Sequence, residues 1–416
     1  MKQIPVALPL LGEEEAKAAR DVIISGWVTQ GPKVIEFEGA FAAYTGAHYA
    51  CAVSSCTAAL HLALLAVGIR PGDVVITVSH SFIATANSIR HCQAEPVFVD
   101  IDRSTLNMDP NILSRTLSAD FEEKEGSLWY KDVDRIATPE SPLFGLAKPR
   151  GRLGALLVVH QVGMPVDLPK LLSIARLHNI PVVEDAACAI GSEISIDNCK
   201  TWEKIGKPRG AVACFSFHPR KVITTGDGGM LTTNNKKYDR QFRLLRQHGM
   251  SIPDAVRHKT TDVIFEDYCL SGYNYRMTDI QAAVGVEQLR RLSDIIEKRR
   301  RIAHLYMAAF SATPELDLPH ESFFARTNWQ SFIVRLKGKL RQKKVMQDLQ
   351  EMGISTRRGI MCAHLEPPYK AGWPKGSLPE SEAARDTGII LPLYPQMKDE
   401  VVGVVIKGVF DAIKKR

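Results

Sequence analysis

Apolar residues recur along this chain in two alternating rhythms, short continuous runs and longer stretches at helical spacing. Glu13 to Ser25 predicts an amphipathic helix. Val34 to Tyr44 predicts another, with Val34, Phe37, Phe41 and Tyr44 on one face. The run Ala50–Val53 predicts a strand, followed by the polar turn Ser54-Ser55-Cys56-Thr57 and an Ala/Leu-rich helix from Ala58 to Val67. Further strands are predicted at Val74–Val78, Pro96–Val99, Leu156–Val159, Val182–Glu184 and Val212–Phe215, with a helix from Ile83 to Arg90. This alternation predicts an α/β fold, a mostly parallel sheet with helices on both faces. The stretch from about Ser118 to Arg152 breaks the pattern with mixed charge, prolines and no period. It reads as a surface insertion, and a cover over the active site is the other reading. From Thr278 a long helical pattern leads to a smaller C-terminal part. That part has a strand near Ser331 to Leu336, a helix near Gln342 to Met352 and a last helix near Glu400 to Ile413. Two domains are expected, a large one over residues 1–280 and, over 281–416, a linking helix with a small α+β domain.

The length of 416 residues suits that division, and a content of 45% hydrophobic and 24% charged residues is ordinary for a globular protein. No apolar run is long enough to span a bilayer. The N-terminus has Pro5 and Pro9 and then turns acidic, which is not the layout of a secretory signal, so a cytoplasmic protein with no membrane partner is expected. The net charge is +7, from scattered basic residues with short clusters at Arg299–Arg301 and Lys414–Arg416. These read as a solvated helix face and a chain end rather than a nucleic-acid patch. A basic balance also suits a small anionic substrate, such as a nucleotide-linked sugar. The eight cysteines form no CxxC pair and sit mostly in apolar segments, so buried reduced thiols are expected rather than disulfides or a metal site.

The most informative segment runs from Cys214 to Thr233. Lys221 stands between two apolar strands, just after a turn, with Gly226, Gly228 and Gly229 behind it. Desolvation at a strand end is expected to lower the amine's pKa and make it nucleophilic toward an aldehyde. Ser216 could hydrogen-bond a phosphate. Taken alone, Lys221 reads as an ordinary surface lysine at a hairpin. Asp185 ends a buried strand, where ligands bind in open α/β sheets, and beside a pyridine nitrogen it would keep that nitrogen protonated. A plain helix cap is the other reading. Ser55, Cys56 and Thr57 stand at a helix N-terminus, where free N–H groups and the dipole favour a phosphate or simply a cap. Phe82 could stack on an aromatic cofactor or fill the core.

Together these segments resemble the DegT/DnrJ/EryC1/StrS family of sugar aminotransferases dependent on pyridoxal 5′-phosphate (PLP), from about Pro5 to the C-terminus. Ser25–Pro32 is similar to the family's N-terminal loop. Val159–Asp167 matches its H-x-x-G-x-P-x-D stretch at His160, Gly163, Pro165 and Asp167. Ser216, Phe217 and Lys221 match S-F-x-x-x-K. Leu245–Gly249 and Gly272–Asp279 match two further signatures, and His364, Pro368 and Tyr369 match H-x-x-P-x-Y.

The resemblance implies a fold-type I PLP transferase with a seven-stranded central sheet in the large, cofactor-binding domain. It implies that Lys221 holds PLP as a Schiff base and that Asp185 pairs with the pyridine nitrogen. It further implies that Phe82 stacks on the ring and that Ser55, Cys56, Thr57 and Ser216 bind the phosphate. Asn274 would reach the phosphate of the neighbouring subunit in a homodimer with shared active sites. His160, Arg246, His364 and Tyr369 are the candidate substrate contacts. The family usually has Gly, Ala or Ser where this chain has Cys56. It usually has Gln or His where this chain has Cys188, three residues after the aspartate, beside the cofactor's phenolic oxygen.

The implied activity moves an amino group from glutamate or glutamine to a nucleotide-linked keto-sugar, with pyridoxamine 5′-phosphate between the halves. Lys221 serves as Schiff-base partner and proton carrier. A keto-cyclitol acceptor is an alternative. PLP-dependent sugar dehydratases of the family carry His in place of the lysine, so Lys221 argues against that reading. A non-catalytic regulatory or nucleic-acid-binding relative would have no use for the lysine, aspartate and phosphate turn together.

Overall fold

The computed structural model describes residues 3–147, 149–197, 199–252 and 265–414. Seven apolar runs form its central sheet: β1 (Tyr49–Val53), β2 (Val74–Val78), β3 (Glu95–Val99), β4 (Leu153–Val159), β5 (Val182–Asp185), β6 (Val212–Ser216) and β7 (Gly229–Thr233). The spatial order is β1-β7-β6-β5-β4-β2-β3. Only β7 runs against its neighbours, β1 and β6. The pairs β6–β5, β5–β4, β4–β2 and β2–β3 are parallel. Strands β2, β3 and β4 are buried at every position, as continuous apolar runs require when both faces are covered.

Side chains alternate between the two faces. Ile76, Val78, Leu156 and Val158 pack with Val34, Phe37 and Phe41 of the helix Pro32–Thr45. Val75, Leu157, Val183 and Cys214 pack with the helix Cys56–Ala66 on the other side. The first of these helices has no side-chain cap of its own, because Gly31 precedes it. Asp279, far away in sequence, supplies the cap: its carboxylate accepts from the N–H groups of Gly31 at 2.7 Å and of Lys33 and Val34 at 3.0 Å each.

Two elements differ from expectation. The long helical pattern from Thr278 is two helices, Asp279–Arg290 and Leu292–Phe310, separated at Arg291. The Ser118–Arg152 stretch is not a loose surface insertion. It contains a hairpin, Phe121–Lys124 with Ser127–Tyr130, closed by Glu125 and Gly126 at φ 52° and 70°. Phe121, Tyr130, Val133, Ile136 and Leu143 join the main core, and Arg135 donates to the Gly372 carbonyl at 2.7 Å.

The C-terminal region adds a four-stranded antiparallel sheet, ordered Leu316–Asp317, Phe332–Leu336, Gly388–Leu391 and Arg357–Arg358. Leu292–Phe310 and Asp399–Lys414 cover it around a core of Ile302, Tyr306, Phe310, Phe332 and Val405. Ala363, Tyr369, Trp373 and Ala384 pack into the main core instead. Among the described residues no helix is long and apolar enough to cross a membrane.

A buried ionic network ties the helix Pro32–Thr45 to β1 and to the helix Lys236–Leu245. Glu38 accepts from Arg246 at 2.5 Å, from Arg243 at 2.8 Å and from the Ala52 N–H at 2.9 Å. Burial alone would raise the Glu38 carboxyl; the Arg246 and Arg243 charges outweigh it and hold it below the ordinary carboxylate range. Arg246 also donates to the Ala52 carbonyl at 2.7 Å. This corrects the expectation that Arg246 meets substrate: its guanidinium is buried in this network, away from the cleft described below.

Arg246→Ala is therefore expected to lower stability by about 3 kcal/mol, because it leaves Glu38 buried with one partner fewer. Urea unfolding measures this, and an unchanged midpoint would contradict the network. A second expectation concerns His80, which is buried with neither ring nitrogen hydrogen-bonded among the described residues. Burial, and then the charge of Arg335, push its pKa from 6.5 down to about 3. The unfolded chain takes up a proton below 6.5 that the folded chain refuses, so this stability is present above 6.5 and falls toward pH 3. Tm measured against pH should fall less steeply in His80→Phe than in the parent between roughly pH 4 and 6. Parallel profiles would refute the assignment.

Candidate active site

Val159, Asp185 and Ser216 end β4, β5 and β6 at one edge of the sheet. There they line a cleft of about 670 Å³. This is the carboxyl edge of the parallel strands, where the chain leaves the sheet and side chains are free to face a ligand. Ser55, Cys56, Thr57, Phe82, His160, Cys188 and Lys221 line the same cleft. Of the residues singled out from the sequence, these and Asp185 and Ser216 are brought together.

Asp185 is buried at the floor. Its Oδ2 accepts from Thr85 Oγ1 at 2.8 Å and its Oδ1 from the Ala187 N–H at 3.2 Å. Burial raises its carboxyl above the ordinary value; the hydrogen bonds and the nearby Lys221 offset this only in part. A cation placed against it would complete the compensation, which is what a protonated pyridine nitrogen offers. Thr85 was not foreseen, although it stands one helical turn after Phe82 in the Ser79–Asn87 segment.

Lys221 Nζ donates to Cys188 Sγ at 3.0 Å. Burial works to lower its pKa, but Cys188, Cys56 and Asp185 outweigh burial, and the amine lies above its ordinary value. The expectation that desolvation depresses this lysine is corrected: its neighbours, Cys188 first, outweigh burial. The bend that carries it depends on Gly226 at φ 84° and Gly228 at φ 157°.

Ser55 caps the helix Cys56–Ala66, accepting from the Ala58 N–H at 3.1 Å. The first N–H groups of that helix face the cleft with the positive end of its dipole. β7 lies tight against this turn: a Cβ on Gly229 would stand 2.4 Å from the Ser55 carbonyl. Phe82 is 63% exposed although the cleft lies beside it, so its ring face is available to a flat ligand. Ser216 Oγ accepts only a long bond of 3.4 Å from the His218 N–H. Helix N-terminus, open aromatic face, undercompensated carboxylate and amine thus fit the phosphate, ring, nitrogen and aldehyde of pyridoxal phosphate.

His160 lines the cleft, but both ring nitrogens are engaged. Nδ1 accepts from the Val166 N–H at 3.2 Å and Nε2 faces Glu184 at 3.1 Å, so the proton sits on Nε2. His364 and Tyr369 do not reach the cleft, which corrects their reading as substrate contacts. His364 is buried between Ser79 at 2.6 Å and Glu382 at 3.1 Å. The Tyr369 hydroxyl donates to Asn87 at 2.7 Å, and Arg90 covers its ring at 4.0 Å. Both pin the C-terminal region onto the main core. Asn274 is exposed and outside this cleft. Among the described residues, the 118–152 segment contributes none to the lining.

Residues not foreseen form the outer wall. Arg220 follows the turn before Lys221, and Arg357 and Arg358 come from the C-terminal sheet. None of the three guanidinium groups has a hydrogen-bond or ion-pair partner among the described residues. Arg357 and Arg358 carried no local sequence signal, because their place at the cleft results from docking of the C-terminal sheet.

Residues 9–410 match the model of the DegT/DnrJ/EryC1/StrS aminotransferase family. The chain is 35% identical over 417 aligned positions to the spore coat polysaccharide biosynthesis protein SpsC of Bacillus subtilis, covering 99% of this chain and 97% of that one. The fold superposes on the aminotransferase TlmJ of Streptoalloteichus hindustanus with TM-score 0.82 and 29% identity, over 99% of both chains. It superposes equally, at TM-score 0.82 and 25% identity over 99% of both chains, on the PLP form of the sugar aminotransferase Spr1654 of Streptococcus pneumoniae, described as putative in that assignment. This protein belongs to the DegT/DnrJ/EryC1/StrS aminotransferase family and is a transaminase that uses pyridoxal 5′-phosphate.

Proposed function

We propose that this transaminase moves an amino group from glutamate or glutamine to a keto-sugar carried on a nucleotide. The observation that carries the reading is the charge layout of the cleft: Lys221 at the floor and, unpaired among the described residues, Arg220, Arg357 and Arg358 around the outer wall. Guanidinium groups bind carboxylates and phosphates in forked geometry, so this wall suits both an amino-acid donor and a diphosphate-linked acceptor. A neutral keto-cyclitol would leave most of that charge unused. The similarity to SpsC, named for polysaccharide biosynthesis, points the same way.

When bound, pyridoxal phosphate supplies the carbonyl that accepts nitrogen and the ring that stores the electron pair. The chain's own residues do the rest. Ser55, Cys56, Thr57 and Ser216 hold the phosphate, and Phe82 covers the ring. Asp185 keeps positive charge at the ring nitrogen. Lys221 Nζ would take the α-proton of the donor and return it two bonds away, to the carbon on the far side of the transferred nitrogen, then perform the reverse for the acceptor. Cys188, in contact with Lys221, would face the ring's phenolic side. Asn274, exposed and outside its own cleft, suits a contact with the phosphate site of a second subunit, which makes a homodimer the working unit.

Lys221→Ala should lower turnover by at least about 10²–10⁴-fold while pyridoxamine phosphate still binds, read by single-turnover kinetics and cofactor absorbance. Near-normal turnover would remove the lysine from the mechanism. Arg357→Ala with Arg358→Ala should raise KM for a nucleotide keto-sugar about ten- to hundredfold and leave KM for a keto-inositol unchanged. Equal effects on both acceptors would favour the cyclitol reading. Gly229→Ala should weaken cofactor binding, measured by titration of the visible band, because its Cβ meets the Ser55 carbonyl at 2.4 Å.

A further inference from the structure

Cys188 and Lys221 are two nucleophiles in contact. Their heavy atoms stand 3.0 Å apart, with the amine donating to the sulfur. Reactive cysteines sit in electropositive, partly exposed surroundings. Cys188 meets both conditions, since it is half-buried, lines the open cleft and has a cationic amine beside it. The other thiols near the site differ. Cys56 and Cys214 are buried, and burial pushes both thiols well above their ordinary value. Cys199 and Cys269 are exposed, and neither has a lysine hydrogen-bonded to it among the described residues.

We infer that Cys188 and Lys221 form a reversible covalent lock in the cofactor-free protein, a sulfur–nitrogen bond made after hydrogen peroxide oxidises the thiol. In the first step the Cys188 sulfur gives an electron pair to one peroxide oxygen. The O–O bond breaks, the other oxygen leaves as water, and sulfur, oxidised by two electrons, carries a hydroxyl as sulfenic acid. In the second step the Lys221 ammonium gives its extra proton to solvent, and the free amine nitrogen attacks that sulfur. The S–O bond breaks, and the departing hydroxide takes a proton from the amine to leave as a second water, with no further change of oxidation state. The product is a sulfenamide, and a dithiol returns it to amine and thiol. The geometry favours this partner because the amine is already in contact with the sulfur, so ring closure needs only side-chain rotation.

The lock acts on the nitrogen that cofactor attachment needs. Oxidised cofactor-free protein would therefore refuse pyridoxal phosphate, and bound cofactor would shield the pair. The Gln or His usual at this position in the family could not form the bond.

The test uses the full-length protein, stripped of cofactor or saturated with pyridoxal phosphate, and exposed to hydrogen peroxide. Peptide mapping by mass spectrometry should find the Cys188 and Lys221 peptides joined, two hydrogens lighter than their sum, in the stripped sample only. Uptake of pyridoxal phosphate, read from its visible band, should be lost on oxidation and return with dithiothreitol. Cys188→Gln should keep full uptake after peroxide. The inference is overturned if Cys188 instead ends as sulfinic acid or as a disulfide with Cys56. It is also overturned if the joined peptides appear equally with cofactor bound, or if Cys188→Gln loses uptake as the parent does. None of these readouts involves an amino acceptor, so they stand or fall apart from the sugar assignment.

Discussion

Burial of ionised groups at the carboxyl edge of the sheet is the constraint around which the rest of this structure is arranged. A carboxylate and an amine taken out of water are costly unless each has charge-bearing or hydrogen-bonding neighbours. Asp185 has Thr85, the Ala187 N–H and Lys221 near it, and its carboxyl still lies above the ordinary range. The residual imbalance is chemically useful. A site that is short of positive charge at the aspartate stabilises a ring nitrogen that keeps its proton, and such a ring withdraws electrons.

Rigidity behind the site follows from the same rule applied elsewhere. The buried Glu38 and Arg246, with the partly exposed Arg243, form a set of charges joining helix, β1 and helix, behind the turn that begins at Ser54. Asp279 caps a helix that lacks its own cap, joining the N-terminal region to the helix after the Gly272–Asp279 signature. His364 and Tyr369 fasten the C-terminal region onto the segment after β2. Of these residues Arg246, Asp279, His364 and Tyr369 belong to motifs shared with the family, and all four hold the frame. Membership of a motif therefore marks both the reacting groups and the groups that fix their positions.

Transamination requires one cleft to accept two substrates in turn. Arg220 belongs to the loop of Lys221, and Arg357 and Arg358 to the C-terminal sheet, so the arginine-lined outer wall is assembled from both parts of the chain. Any shift of the C-terminal sheet relative to the central one would change the distance between the reacting amine and that wall.

The chain by itself determined the central sheet and the floor of the site. β2 was legible to the residue, and β4, β5 and β6 within a few residues, because continuous apolar runs have one stable fate in a sheet covered on both faces. Lys221, Asp185, Phe82 and the Ser55–Thr57 turn were legible because each stands just after such a run, and strand ends of a parallel sheet converge in space. Only the tertiary structure decided the rest. It separated Arg246, His364 and Tyr369 from the cleft, because a buried partner within reach binds a polar side chain more strongly than water does. It anchored the 118–152 stretch, whose few core residues are too irregularly spaced to show a period. It brought Arg357 and Arg358 to the site across a long span of chain, and it placed Cys188 against Lys221. That contact depends on how two neighbouring strands end, a relation between elements that no spacing along one element contains.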